Sequence, residues 1–252
     1  RDKVLYNLVL FAVLLMGESS LIGQLTAGQD VKIIKDLGLA ATSIFGLFIA
    51  IFIGIQLVSK EVERRSINSL VAKPVERYQI VLGKYAGLVL TLGVNLAIMA
   101  TALYAVLAYM AWVAGPSAAL AWEAPALDPA MLKAVFLTFV ELALVTAIAL
   151  FFSTFSTPLL SAAFTFGLFI AGRFSADLRN FNQVVESPAA AWLAQGLYWV
   201  LPNLAPFDVR SAVVHAQPVT LEYMAMTTGY AVLYVGALLI VACLVFSRRD
   251  FK

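Results

Sequence analysis

No residue between Gly38 and Ser59 carries a charge, and five other stretches of the chain approach the same character. A helix needs roughly 20 mostly apolar residues to cross a hydrocarbon layer about 30 Å thick. Inside lipid, a lone segment can satisfy its own backbone only by being helical. Apolar runs of this length therefore restrict the chain to a helical membrane fold. Composition agrees: 62% of the 252 residues are hydrophobic and 13% charged, whereas soluble domains sit near half apolar and a quarter charged.

The pattern predicts an all-α membrane protein forming one transmembrane domain over residues 1–252, with spans at about 4–25, 38–59, 80–113, 131–152, 158–174 and 227–246. Thr26–Asp36 reads as a short polar connection. The third run is long enough to tilt or project beyond the bilayer. Asp128-Pro129 and Thr157-Pro158 each pair a capping residue with proline at the first helical position, which opens the fourth and fifth spans. The fifth loses its apolar character at Arg173 and is short. Beyond it, Ser187-Pro188 leads into AAAWLAQGLYWV, which Pro202 ends. Trp192, Tyr198 and Trp199 suit the headgroup level, so an interfacial or re-entrant helix is expected between the last two spans. The chain opens on Arg1 rather than Met, so a preceding segment is expected, and no leader with a cleavage site is visible.

Six spans put both termini on one side. Arg1, Lys3, Lys60, Arg64, Arg65, Lys73, Arg77, Lys84, Arg248, Arg249 and Lys252 fall on that side; Lys32, Lys35, Lys133, Arg173, Arg179 and Arg210 fall on the other. The excess of Lys and Arg predicts cytoplasmic termini.

Small residues four apart let membrane helices approach closely. Gly46, Ala50 and Gly54 form such a stripe on the second span; Gly83 and Gly87 begin another on the third, continued by Thr91 and Asn95. Packing within one subunit and contact between subunits are both open on this pattern. Glu141 lies near the middle of the fourth span, where a charged carboxylate is expensive. It is expected to be protonated, hydrogen-bonded or turned to a wet cavity, with Asn95, Thr91 and Thr138 as candidate partners; a structural and a transport role both remain. Glu18, with Gln24, lies nearer the far mouth of the first span.

Several chemistries are excluded. Ile80-Val81-Leu82-Gly83-Lys84 only approximates a phosphate-binding loop: Tyr78 replaces the upstream glycine and Tyr85 follows the lysine where Ser or Thr is required. One cysteine, Cys243, permits neither an internal disulfide nor a cysteine-built metal cluster. His215 is the only histidine, and Met224 and Met226, two apart, point to different faces of a helix. Neither a metal site nor a catalytic site is expected, and no nucleic-acid partner.

The one long charged segment between two strongly apolar runs is KEVERRSINSLVAKPVERYQIVLGK, Lys60 to Lys84, with six of the seventeen basic residues. Glu61 and Glu63 follow the second span directly. Ile67, Leu70 and Val71 lie at helical spacing on an otherwise polar stretch that also holds Arg65 and Ser66; Pro74 breaks it before Arg77. Such a short amphipathic helix suits insertion into a partner's groove; a loop solvated at lipid headgroups fits the pattern as well.

This loop, continued through Tyr85-Ala86-Gly87, resembles the intracellular loop of ABC-2 type transporter permeases. Glu61 and Glu63, Ser66, Leu70-Val71, Pro74-Val75-Glu76-Arg77 and Leu82-Gly83-Lys84 stand at that family's motif positions, with serine for the usual threonine and Val71 for a second leucine. The likeness extends to Pro202-Asn203-Leu204, Phe207-Asp208 and the Arg248-Arg249-Asp250-Phe251 ending, and is nearest the branch containing permeases of nitrous-oxide-reductase copper-site maturation. The resemblance implies a bacterial inner-membrane permease with no cofactor of its own, MgATP being held by two copies of a separate ABC ATPase subunit. A second permease copy, a homodimer, and a periplasmic accessory protein are further implied partners, alongside the bilayer. Residues 66–71 would be the coupling helix. The dimer contact and pathway would draw on Glu18, Gln24, Gly46, Ala50, Gly54, Gln56 and Phe164 to Phe169.

Overall fold

Gly38 to Ser59 turns out to be the middle of a longer helix. The computed structural model describes residues 30–63, 77–119, 125–175 and 201–248, and every regular element among them is helical. These are α1 (Asp30–Glu63), α2 (Arg77–Ala119), α3 (Ala130–Ser153), α4 (Pro158–Arg173), a 3-10 turn (Ala205–Phe207), α5 (Arg210–Val214) and α6 (Leu221–Arg248). Four are long and apolar enough to cross a membrane, within Val31–Phe52, Tyr78–Gly115, Ala130–Ser153 and Leu221–Val245; α4 is a shorter apolar helix. The all-α membrane class is as expected. The span expected at 4–25 and the interfacial helix expected after Ser187-Pro188 lie outside the described residues.

Several boundaries differ from the sequence reading, three of them for a local reason. The polar connection expected at Thr26–Asp36 is helical from Asp30 onward. Its charges are accommodated because Lys35 reaches a backbone carbonyl and Asp36 pairs with Arg210. The last helix begins at Leu221 rather than near Thr227, since the Thr220 hydroxyl accepts the Tyr223 N–H at 3.2 Å and so caps it upstream. α2 runs past Val113 to Ala119 but is broken at Gly115, whose φ of 75° is cheap only for glycine. Pro116 follows, disfavouring helical geometry at the residue before it. The Asp128-Pro129 start signal holds: Asp128 Oδ1 accepts the Ala130 N–H at 2.8 Å.

The chain divides into two compact units. The first comprises Arg1–Phe48, Leu90–Leu142 and Asp208–Met226; the second comprises Ile49–Val89, Ala143–Phe207 and Thr227–Lys252. In the first, Val31, Ile34 and Leu39 of α1 pack with Met99, Leu103, Val106 and Leu107 of α2, Met131, Ala134 and Leu137 of α3, and Val209, Val213, Val214 and Val219. The α2 set recurs at the three- and four-residue steps of one helix face. Gly38 lets α1 close onto Leu103, whose methyl occupies the place of a Cβ.

Loops in this unit are tied down by long side chains. Lys35 is buried, and its Nζ donates to Pro125 O at 2.6 Å. Tyr104 Oη donates to Asp128 O at 2.7 Å, and Lys133 Nζ to Val219 O at 2.7 Å. A loop carbonyl at the end of an apolar bundle must find a donor, and a charged donor contributes about 1.5–3 kcal/mol.

The second unit uses other means. Val81, Leu88, Leu150, Leu239 and Ala242 form its described core. Phe151, Phe152, Phe155 and Phe164 cluster about the α3–α4 turn, with neighbouring centroids 5.2–5.9 Å apart. The segment Pro202-Asn203-Leu204 fastens to the end of α4. Leu204 N donates to Gly172 O at 3.0 Å. Asn203 Oδ1 accepts Ser175 Oγ at 2.8 Å and Ala205 N at 3.1 Å, while Asn203 N donates to Tyr230 Oη at 2.9 Å. Gly172 is required at this close approach: a Cβ there would lie 2.7 Å from Pro202 O.

Candidate functional site

The small residues of α1 are close-approach positions. In the first unit Gly46 packs on Leu142, whose methyl fills the space of a Cβ, with Leu96 3.4 Å from that same point. Ala50 is 3% exposed. In the second unit a Cβ on Gly54 would lie 3.1 Å from that of Ala149. Leu142 and Ala149 are two helical turns apart on α3, so the stripe meets one face of that helix, the geometry small residues make possible in membranes. Gln56 lies further along α1.

α2 behaves differently. A Cβ added at Gly83 or Gly87, which begin the second small-residue stripe, would meet nothing within 4 Å, and Leu82 and Leu90 nearby are exposed. Contact resumes at Gly93, where a Cβ would lie 3.2 Å from the Phe139 ring.

The polar residues singled out within the spans, Asn95 and Glu141, are both buried, at 3% and 1% exposure. Asn95 Nδ2 donates to the Thr91 backbone carbonyl at 2.7 Å. Asn95 Oδ1 is buried outside any hydrogen bond among the described residues. Asn95 and Glu141 each adjoin in sequence one of the leucines, Leu96 and Leu142, that converge on Gly46. Buried polar groups at this depth are costly and belong to interhelical bonds or wet paths.

On α4, Ser161, Thr165 and Gly172 are buried, while Phe164 and Phe166 are 44% and 43% exposed. The helix thus turns its small polar face inward and its aromatic face outward. Phe169 carries the Arg173 guanidinium 5.5 Å above its ring. Met224 packs on the first unit's core and Met226 is 70% exposed, on opposite faces as their spacing requires.

The charged loop begins and ends on long helices. Glu61 and Glu63 lie in the last turn of α1, and Arg77 opens α2. Arg65, Ser66, Ile67, Leu70, Val71 and Pro74 lie outside the described residues, as do Glu18 and Gln24. At 1.5 Å per residue the 34 residues of α1 span about 51 Å, well beyond a hydrocarbon core of about 30 Å. One continuous helix therefore joins the apolar interior to the charged connection.

The sequence reading missed the fasteners Lys35, Tyr104, Lys133 and Asn203. The signal present for the first was a lysine close to the start of an apolar run, where the side chain can turn back to the helix end.

These helices define a multi-pass helical membrane protein whose two longest helices are joined by a charged connection. The chain belongs to the ABC-2 family transporter proteins, whose family model matches residues 3–251. Membership makes it a membrane transport subunit rather than an enzyme, of a class that partners an ABC ATPase subunit. No curated protein matches the chain.

Proposed function

We propose that this chain is the permease through which a separate ATP-binding subunit drives export across the bacterial inner membrane, with both termini cytoplasmic. The observation carrying this reading is the family match over residues 3–251, in a chain whose motif-bearing connection hangs between α1 and α2. The ATPase-coupling element is residues 61–77, with Ile67, Leu70 and Val71 as the apolar face seated in the ATPase groove. Glu61, Glu63, Arg65 and Arg77 form its charged rim. MgATP is bound by the partner, in two copies, and two permeases form a homodimer.

Closure of the nucleotide-loaded ATPases displaces the coupling element, and α1, as a continuous helix from Asp30 to Glu63, transmits that displacement along its length. Because α1 meets α3 at Gly46 and Gly54, it can slide or rotate where side chains are smallest. Asn95 and Glu141 supply polar groups beside the contact in the first unit, and the exposed aromatic face of α4 is a candidate dimer or pathway surface.

The test is co-expression with the ATPase subunit. Leu70→Asp places a carboxylate in an apolar groove and is expected to abolish co-purification while leaving the permease monodisperse in detergent. Retention of the complex would overturn the coupling assignment. Export is then read in proteoliposomes: ATP hydrolysis without solute movement would replace export by force transmission to a periplasmic partner.

A further inference from the structure

In the second unit both helices that leave the charged connection reach α3 within two turns of each other. α1 meets it at Gly54, where a Cβ would lie 3.1 Å from that of Ala149. α2 meets it at Tyr85, whose hydroxyl donates to Ala143 O at 3.2 Å. The two contacts differ in kind. Apolar contact at a bare glycine is non-directional, so one helix can shift along the other at little cost. A hydrogen bond weakens steeply as its geometry is lost, and so fixes register. A carbonyl has two lone pairs, which lets Ala143 O accept Tyr85 without giving up its place in the α3 ladder. At 3.2 Å the bond is longer than the usual O–H···O length of about 2.7–2.8 Å. A small movement of α2 therefore either tightens it or breaks it.

Packing does not account for the hydroxyl. Val81 and Leu88 of α2 form a core with Leu150 of α3 and with Leu239 and Ala242 of α6, and the Tyr85 ring packs against it. A phenylalanine ring would serve as well there, and a hydroxyl carried into apolar surroundings costs free energy unless it is bonded. The other side of this end of α2 has room: a Cβ added at Gly83 or Gly87 would meet nothing within 4 Å. Tyr85 thus stands on the packed face, eight residues beyond Arg77, where α2 begins. That is about 12 Å along the helix axis, so a displacement entering at Arg77 reaches Tyr85 before it reaches the upper half of the helix.

We propose that Tyr85 is the positioning residue that carries displacement of α2 into α3, through its hydroxyl on Ala143 O. The inference rests on the coupling role given above to residues 61–77, and makes α2 a transmitting helix alongside α1.

Paired spin labels on the full chain test it, with Cys243→Ser so that only introduced cysteines react. The exposed label sites are Gln79 in the first turn of α2, Thr157 at the α3–α4 turn and Val241 on α6. In the complex with the ATPase subunit, the distances from Val241 to Gln79 and to Thr157 are read before and after addition of a non-hydrolysable MgATP analogue. Both are expected to shift in the unaltered chain, by about 1–2 Å, the scale of helix displacements. In Tyr85→Phe the Gln79 distance still shifts and the Thr157 shift is lost. A tyrosine that only stabilised the fold would lower Tm in detergent without separating the two responses. A Thr157 shift that survives Tyr85→Phe, or an unaltered chain in which Gln79 moves and Thr157 does not, would overturn the proposal.

The isolated chain decides the link without the ATPase. Its Gln79–Thr157 distance distribution is expected to be single and narrow, and to broaden in Tyr85→Phe; an unchanged distribution overturns the role of Tyr85. If the distribution broadens but neither distance in the complex responds to nucleotide, the Tyr85 link stands and coupling through residues 61–77 falls.

Discussion

In the first unit, loops are held by long side chains donating to carbonyls: Lys35 to Pro125, Tyr104 to Asp128, Lys133 to Val219. The second unit is held by a backbone segment, Pro202-Asn203-Leu204, laid on the end of α4, and on its α2 a Cβ added at Gly83 or Gly87 would meet nothing within 4 Å. Donors at the tips of long chains resist local opening of loops yet tolerate small shifts of the helices they join. A segment lodged against Gly172 tolerates almost none. The difference separates a pinned end of α4 from a face of α2, at Gly83, with room for a side chain.

Substitutions test that contrast directly. The largest effect is expected from Gly172→Leu, whose side chain would collide with Pro202 O and Leu204. A backbone obstacle cannot rotate away, so destabilisation of about 3 kcal/mol or more is expected, visible as loss of monodisperse protein on size-exclusion chromatography. Asn203→Ala comes next: it strips the acceptor from the buried Ser175 hydroxyl and the Ala205 N–H. At about 1 kcal/mol per lost bond and more for a buried orphan, about 2–3 kcal/mol is expected, measured as a lowered Tm in detergent.

Lys35→Met keeps the apolar stem and removes the donor to Pro125, for about 2 kcal/mol; the accompanying readout is faster hydrogen exchange around Pro125 and Asp128. Tyr85→Phe removes a single 3.2 Å bond to Ala143 O and should lower stability by only about 1 kcal/mol. At the bottom of the scale, Gly83→Leu meets open space. It should leave the stability of the isolated chain within the usual surface range of about 0.5 kcal/mol. If it nonetheless lowers activity of the ATPase-loaded complex, that stretch of α2 touches a partner in the assembly; a large fall in Tm of the isolated chain would erase the contrast between the units.

Much of this is legible along the chain. Uncharged runs such as Gly38–Ser59 and Thr227–Phe246 mark helices, and Asp128-Pro129 marks the start of α3 to within a residue. Period and capping are local, so a few neighbouring residues carry them. The start of α1 is not legible in the same way. Lys32, Lys35 and Asp36 look like a loop until their partners, 90 residues away for Lys35, are in place. The same holds for the stripe at Gly83 and Gly87: the spacing is the same as in Gly46-Ala50-Gly54, but an added Cβ meets a neighbouring helix at Gly46 and Gly54 and nothing within 4 Å at Gly83 or Gly87.

That this chain is helical, membrane-spanning and built around a charged connection follows from its residue order alone, because hydrocarbon leaves the backbone no other way to satisfy its polar groups. Which small residues touch and which lysine is buried were settled by the packing of distant segments. Those outcomes depend on which remote carbonyl or side chain arrives opposite, and no local pattern encodes that.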